Sequence, residues 1–291
     1  MMKLSLVTDE LSSDLETAVE IGNELGIEHF ELRGIESFRV GNLPSHLESF
    51  CVQLITDRRF RFKPIAISPG IFKDPLITSQ IPENFSVLRW QYRDEHELRE
   101  RNKNLYSQHL ERLLPESISF AEKIGVSKII IFGIGRERLN GDKRHPDLVV
   151  DLLKQAACIA NKAGITLLLE NEHICFADTA KATSELLERV GAANLMVNWD
   201  LANSACAGEI PYPNGYEWVR DRLGHVHFKD VVTEGPRSFR YVVDGEIDWK
   251  GQIRALIRDG YKGFISIETH CRPKVRAVRD SVKLLEEMMR C

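Results

Sequence analysis

The chain has 291 residues, 43% of them hydrophobic and 28% charged, with a formal net charge of −4 and a pI near 6.2. That balance is ordinary for a globular protein and argues against a general affinity for nucleic acid, which needs a basic surface to displace counterions. No apolar run approaches the roughly 20 residues that span a bilayer, and the opening MMKLSLVTDELSS, acidic at Asp9 and Glu10, reads as neither signal nor transit peptide. The six cysteines are scattered without a C-x-x-C pair, so they are read as reduced thiols of a cytoplasmic protein and not as a zinc site. Nothing resembles a linker, and one domain over 1–291 is expected.

Short apolar runs alternate with amphipathic stretches throughout, the pattern of repeated βα units on a parallel sheet. A strand is expected at 3–8, a helix at 14–25 closed by Gly26, a strand at 29–33, a helix at 45–55 and a strand at 61–68. Pro64 must then sit at the strand's start or at a bulge. Residues 69–103 are irregular, with Pro69, Gly70, Pro75 and Pro82. They are read as an insertion on the rim where barrels keep lids and substrate loops, or else as a surface excursion. A helix at 105–124 should be kinked or divided by Pro115.

Regular units follow: strand 128–132, helix 146–163, strand 165–170, helix 179–190, strand 195–200, short helix 216–223, strand 225–230, loop 231–244, helix 249–259, strand 264–269 and helix 274–289. Eight strands, each followed by a helical stretch, make the expected fold class α/β, a single (β/α)8 TIM barrel. An open doubly wound sheet is the alternative, against which no G-x-G-x-x-G follows any strand.

Four of these apolar runs stop at an acid or a histidine: ITLLLEN, LMVNWD, HVHFKD and FISIETH. Side chains alternate along a strand, so Glu170, Asp200, His227 and Glu268 share the inward face at the rim, with Leu168 below Glu170 and Glu172 above it. Trp199 points away, as core packing. Three carboxylates gathered with one imidazole repel one another unless a cation compensates them. Three oxygens and a nitrogen suit one divalent ion: manganese, magnesium or cobalt, with zinc also compatible.

The segments ENE at 170–172, WDLAN at 199–203, HVHFKD at 225–230 and ISIETH at 265–270 resemble motifs of the sugar phosphate isomerase/epimerase family. Its xylose isomerase-like barrel is shared by ketose 3-epimerases, hydroxypyruvate isomerase and the isomerase and dehydratase of inositol catabolism. The opening KLSLVTDELSSDLETAVEIGNELGIEHFELR is similar to that family's first βα unit and second strand. The resemblance implies that Glu170, Asp200, His227 and Glu268 bind one divalent metal, and that Glu170 and Glu268 serve as the acid/base pair. The implied reaction is isomerisation or epimerisation of a sugar or sugar-derived keto compound by proton abstraction beside a metal-bound carbonyl.

Two positions depart from the ketose 3-epimerases. Asn203 stands where they carry a substrate-contacting histidine, and Thr233 near where they carry an arginine, which tells against a C3-epimerase of free ketoses. Lys229 resembles the lysine of the family's H-x-K-D pattern and is a candidate to hold a substrate oxygen or carboxylate, with a salt bridge to Glu172 or Asp230 as the alternative. The other substrate-binding candidates are Asn203, Glu172, His173, Arg136 and His270, with Arg33 and Glu31 also on the rim. An inosose-type dehydratase would use the same site. An endonuclease-IV-like phosphodiesterase would need more strand-end histidines than ISPG and FGIG supply, and a Schiff-base aldolase would use Lys229 as its nucleophile. A non-catalytic binding barrel is the remaining class. The expected partner is a small carbohydrate, with no nucleic acid and no membrane, and the expected assembly a homodimer or homotetramer.

Overall fold

A computed structural model describes residues 2–76, 105–136, 145–235 and 238–290. Alternating inward and outward side chains let each apolar run face the helices on one side and the barrel axis on the other, and eight such runs close on themselves. The strands are β1 (Lys3–Val7), β2 (His29–Leu32), β3 (Lys63–Ile67), β4 (Lys128–Phe132), β5 (Thr166–Glu170), β6 (Leu195–Asp200), β7 (Leu223–Phe228) and β8 (Phe264–Ile267). All pair in parallel with their sequence neighbours, and β8 returns to β1 in the register Lys3↔Phe264 to Leu6↔Ile267. The closed (β/α)8 barrel is the fold expected above, and the open sheet is excluded.

The helices around it are α1 (Leu15–Glu24), α2 (Ser45–Thr56), α3 (Leu114–Lys123), α4 (Asp147–Lys162), α5 (Ala180–Val190), α6 (Leu201–Cys206), α7 (Tyr216–Val219), α8 (Trp249–Arg258) and α9 (Lys274–Arg290). Side chains of Asp14, Thr179, Asp200 and Asp248 cap α1, α5, α6 and α8 by accepting a free N–H of the first turn. Gly191 ends α5 with φ +68, the left-handed geometry that a C-terminal cap favours. No helix among the described residues is long and apolar enough to cross a membrane.

Outward positions such as Leu6, Phe30, Ile129, Leu167, Val197, Trp199 and Ile265 join the buried layer against the helices. Trp199 Nε1 donates to Gln252 Oε1 of α8 at 3.1 Å, as its outward parity requires. Inward positions change character along the axis. Ala66, Ile130 and Leu168 form a separate apolar plug, whereas Ser5, Glu31, Asn198, His225 and Ser266 are fully buried and polar. The polar set lies inside because the rim needs it, as shown below.

Two local expectations are refined and two are revised. Pro64 lies at the second position of β3 beside a register shift between Phe30 and Glu31, so it is both near the strand's start and at a bulge. Pro115 does not divide its helix: residues 105–108 are helical, a π-turn at His109–Leu113 precedes the proline, and α3 continues from it. The wider turn makes room for the ring and the missing N–H, and the Ser117 hydroxyl donates to Leu113 O at 2.6 Å. Segment 231–244, expected as a loop, carries an antiparallel hairpin, Asp230–Gly235 with Ser238–Val242. The helix expected at 216–223 is only the short α7 and a 3-10 turn, Arg220–Arg222. Of the insertion expected at 69–103, residues 77–103 lie outside the described residues.

Candidate metal centre at the C-terminal rim

Parallel strands in a closed barrel all end on one face, so the three acids and the histidine at the ends of β5 to β8 converge. One donor atom each from Glu170, Asp200, His227 and Glu268 lies within 4.8 Å of the others, and all four residues are buried. His227 Nδ1 is 3.2 Å from Glu268 Oε2, 3.7 Å from Glu170 Oε2 and 4.0 Å from Asp200 Oδ2. Asp200 divides its oxygens between two tasks. Oδ1 accepts the Asn203 N–H at 2.8 Å and caps α6, while Oδ2 is buried without an aligned hydrogen-bond donor among the described residues. Lys229 Nζ stands 2.7 Å from Oδ2 as an ion-pair partner without hydrogen-bond alignment. An oxygen with no aligned donor, clustered with two further carboxylates and a ring nitrogen, fits a divalent cation.

Amides hold this set in place. Asn171, which points away from the mouth, braces β6 by donating to Asp200 O at 2.7 Å and accepting from Asp200 N at 2.8 Å. Asn198 and Asn203 each donate to one oxygen of Glu170, at 3.1 and 3.2 Å. Beneath His227 lies Glu31, whose Oε2 accepts from His227 Nε2 at 2.9 Å and from His225 Nε2 at 3.1 Å. His225 Nε2 also approaches Ser266 Oγ at 2.8 Å, and Ser266 is bonded to Ser5. Glu31 is thus no rim residue; it sits inside the barrel and turns Nδ1 of His227 toward the carboxylates.

The electrostatics separate the two candidate proton carriers. Burial, with Glu268 and Asp200 adding like charge, pushes Glu170 up to about 7 against His227 and Lys229. Burial also opposes ionisation of Glu268, but Lys229, His270, His227 and Arg33 hold it well below the usual carboxylate range. Burial disfavours charge on His227 and on Lys229, yet surrounding carboxylates keep both well above their ordinary values. Glu31 stays ionised despite full burial, drawn down by His227 and His225, whereas burial pushes His225 down and keeps it neutral. His225 Nδ1 has no partner among the described residues, which agrees with its proton lying on Nε2, facing Glu31.

The other candidates fall into place around this centre. Lys229 pairs with Asp200 and Glu268 (Nζ to Oε2 2.9 Å), not with Glu172 or Asp230. Asp230 instead accepts the backbone N–H groups of Val231, Gly245 and Ile247 and anchors the hairpin. Glu172 is held by Lys73 at 2.7 Å and by His173 at 2.8 Å, and His173 also meets Asn203 Oδ1 at 3.2 Å. His270 bridges Glu10 at 3.1 Å and Glu268 at 3.5 Å. Arg136 is buried, its side chain 2% exposed and paired with Asp178. Arg33 binds Asp9, Glu10 and Glu268 together.

Sequence reasoning missed Asn171, Asn198, Glu10, Lys73 and Tyr241 as parts of the site. Parity had already put Asn198 on the inward face with Asp200, which was a usable signal. Tyr241 lies in the hairpin read as a loop; its ring packs 5.1 Å from His270 and beneath Lys229 Nζ at 5.6 Å.

Comparison with known proteins agrees with this architecture. A putative hydroxypyruvate isomerase from Mus musculus is 26% identical over 173 residues, a match that spans 53% of this chain and 58% of the mouse protein. The zinc-bound IOLI protein superposes with a TM-score of 0.71 at 16% identity, over 99% of this chain and 98% of that one. The probable 3-DHS dehydratase AsbF of Bacillus anthracis gives 0.68 at 19% identity, over 98% of this chain and 99% of that one. The family described as xylose isomerase-like TIM barrel matches residues 85–288, and the chain belongs to it.

Proposed function

We propose that this chain is a divalent-metal-dependent isomerase or epimerase of a sugar or sugar-derived keto compound, working by proton abstraction beside a carbonyl. The observation that carries the reading is the convergence of Glu170 and Glu268 with Asp200 and His227 on one point, the two glutamates being driven in opposite protonation directions. Paired acids whose environments push their pKa values apart are the signature of a proton donor and a proton acceptor. One manganese, magnesium or cobalt ion, with zinc also accommodated by the donor set, would be held by Glu170, Asp200, His227 and Glu268 and supply carbonyl polarisation.

The chain's own groups carry the proton. A Glu268 carboxylate oxygen, ionised and 2.9 Å from Lys229 Nζ, takes the proton from the carbon next to the carbonyl, and Glu170 returns one to the neighbouring carbon or the opposite face. Asn198 and Asn203 keep the Glu170 carboxyl turned to the mouth, and His173 and His270 line the space above. The same groups support a dehydratase as second reading. With no cation bound, burial and the like charge of Glu268 and Asp200 hold Glu170 up at about 7, and a Glu170 that carries a proton can give it to a leaving hydroxyl, in keeping with the likeness to AsbF. The aldolase reading loses ground because Lys229 is bound as a cation by two carboxylates, and a nucleophilic amine must be neutral. With this reading go one barrel domain over the whole chain, a homodimer or homotetramer, and a reducing, cytoplasmic setting in keeping with the free cysteines.

The test is metal analysis with deuterium exchange over a panel of ketoses, keto-inositols and hydroxypyruvate. Exchange should vanish after chelation and return with manganese or cobalt. Glu170→Gln and Glu268→Gln should each lower it by at least about 100-fold, while Glu170→Gln still takes up metal. No exchange by any metal-replete sample overturns the proposal.

A further inference from the structure

The cations around the mouth are not equally engaged. Arg33 has Asp9, Glu10 and Glu268; Lys73 has Glu172; Lys229 has Asp200 and Glu268; Arg136 has Asp178. Arg39 has no carboxylate partner among the described residues. It ends the short hairpin of Gly34–Ile35 with Phe38–Arg39 that follows β2, where Val40 N donates back to Arg33 O at 3.0 Å. From there the side chain reaches the end of β3. Its Nε donates to Ser68 O at 2.9 Å and its Nη2 to Ser68 Oγ at 3.4 Å, which leaves Nη1 without an acceptor among the described residues.

Both partners of Arg39 are neutral, so the hydrogen bonds orient the guanidinium without cancelling its charge. Gly70, with φ +84, borders it closely enough that a Cβ there would lie 3.6 Å from Nε. Part of the residue is exposed, while burial of the guanidinium and the like charge of Arg33 lower its pKa against the carboxylates of Asp9, Glu268 and Glu170, which lie close enough to act on it from the same opening. A guanidinium fixed in direction, with N–H groups free and no counter-ion among the described residues, is built to take an oxyanion in two-point fashion. Neutral hydroxyls do not require a full positive charge. The other cations named at the mouth, Arg33, Lys73 and Lys229, are each paired with carboxylates, so an anionic ligand would be attracted at Arg39 in particular.

We propose that the substrate of the isomerase site carries a terminal carboxylate or phosphate and that Arg39 receives it, setting specificity for acidic over neutral keto sugars. The inference rests on the isomerase or epimerase reading above for its placement of the reacting carbon. The experiment compares wild type with Arg39→Gln and Arg39→Lys on three compounds: a neutral ketose, its terminal phosphate ester and its terminal carboxylate. In wild type the acidic compounds should exceed the neutral one in kcat/KM by roughly 10- to 100-fold. In Arg39→Gln that ratio should collapse toward about 1, mostly through KM, with partial recovery in Arg39→Lys.

A second readout needs no turnover. Phenylglyoxal labelling of Arg39, followed by peptide mass spectrometry, should be slowed by the acidic ketoses and not by the neutral one. Protection by only one of the two acids identifies that acid as the substrate group. A kcat/KM ratio that Arg39→Gln leaves intact, or labelling that neither acid slows, overturns the proposal. Absence of exchange on all three compounds would instead sink the isomerase reading, and the labelling result would still stand or fall by itself.

Discussion

Replacing Glu31 with Gln keeps the volume of a fully buried side chain and removes its charge. The carboxylate accepts from His227 Nε2 at 2.9 Å and from His225 Nε2 at 3.1 Å through the same oxygen, and its other oxygen has no partner among the described residues. A charge-assisted hydrogen bond of this kind contributes about 1.5–3 kcal/mol. Loss of such a bond behind a ligating histidine usually costs roughly 10- to 100-fold in metal affinity, which is about 1.4–2.7 kcal/mol. The two figures agree in size, so Glu31→Gln should weaken manganese or zinc binding by about that factor. The mechanism is positional: a neutral amide no longer commits the His227 proton to Nε2, and Nδ1 is no longer reserved for the carboxylate side. Competitive chelator titration measures the affinity, nitrogen NMR of labelled histidine reports the tautomer, and far-ultraviolet circular dichroism checks the fold. Unchanged affinity and tautomer in a folded Glu31→Gln protein would refute the reasoning, because they would show that the ring is held by packing alone.

Glu10 gives a pH prediction. Burial raises it, but His270 and Arg33 outweigh burial and bring it from the ordinary 4.5 to about 2, so the folded protein binds its proton less readily than the unfolded chain. Its contribution, at most about 3 kcal/mol, is therefore fully present above pH 4.5 and is lost as the pH falls toward 2. Glu10→Gln should be about 2–3 kcal/mol less stable than wild type at pH 6, with the difference shrinking toward pH 2 in urea titrations; a pH-independent difference contradicts the assignment. Gly133→Ala tests the packing behind the rim. A Cβ at Gly133 would stand 2.5 Å from Ala177 Cβ and 2.9 Å from Ala177 N, and backbone yields less than a side chain. A loss of about 1–3 kcal/mol and a lower calorimetric midpoint are expected; an unshifted midpoint would show that the two segments can separate.

Local sequence determined the strands and their parity. A period of two is a property of each strand by itself, so ITLLLEN places Leu168 and Glu170 inward wherever β5 lies, and LMVNWD places Asp200 inward and Trp199 outward in the same way. The four ligand candidates and the barrel were legible for that reason. Tertiary structure alone decided what stands across the barrel from what. Glu31 and His227 are 196 residues apart in the chain, and only closure of β1 on β8 makes them neighbours. Lys229 showed several acids within reach in sequence, and its choice of Asp200 and Glu268 follows from where β6 and β8 end. Arg33 and Arg136 look alike as rim arginines in the sequence, and Arg39 gives no signal there at all. Arg33 is saturated by three carboxylates, Arg136 is buried on Asp178, and Arg39 binds the neutral Ser68 with no carboxylate partner among the described residues, because pairing is settled by which loops the closed ring brings together.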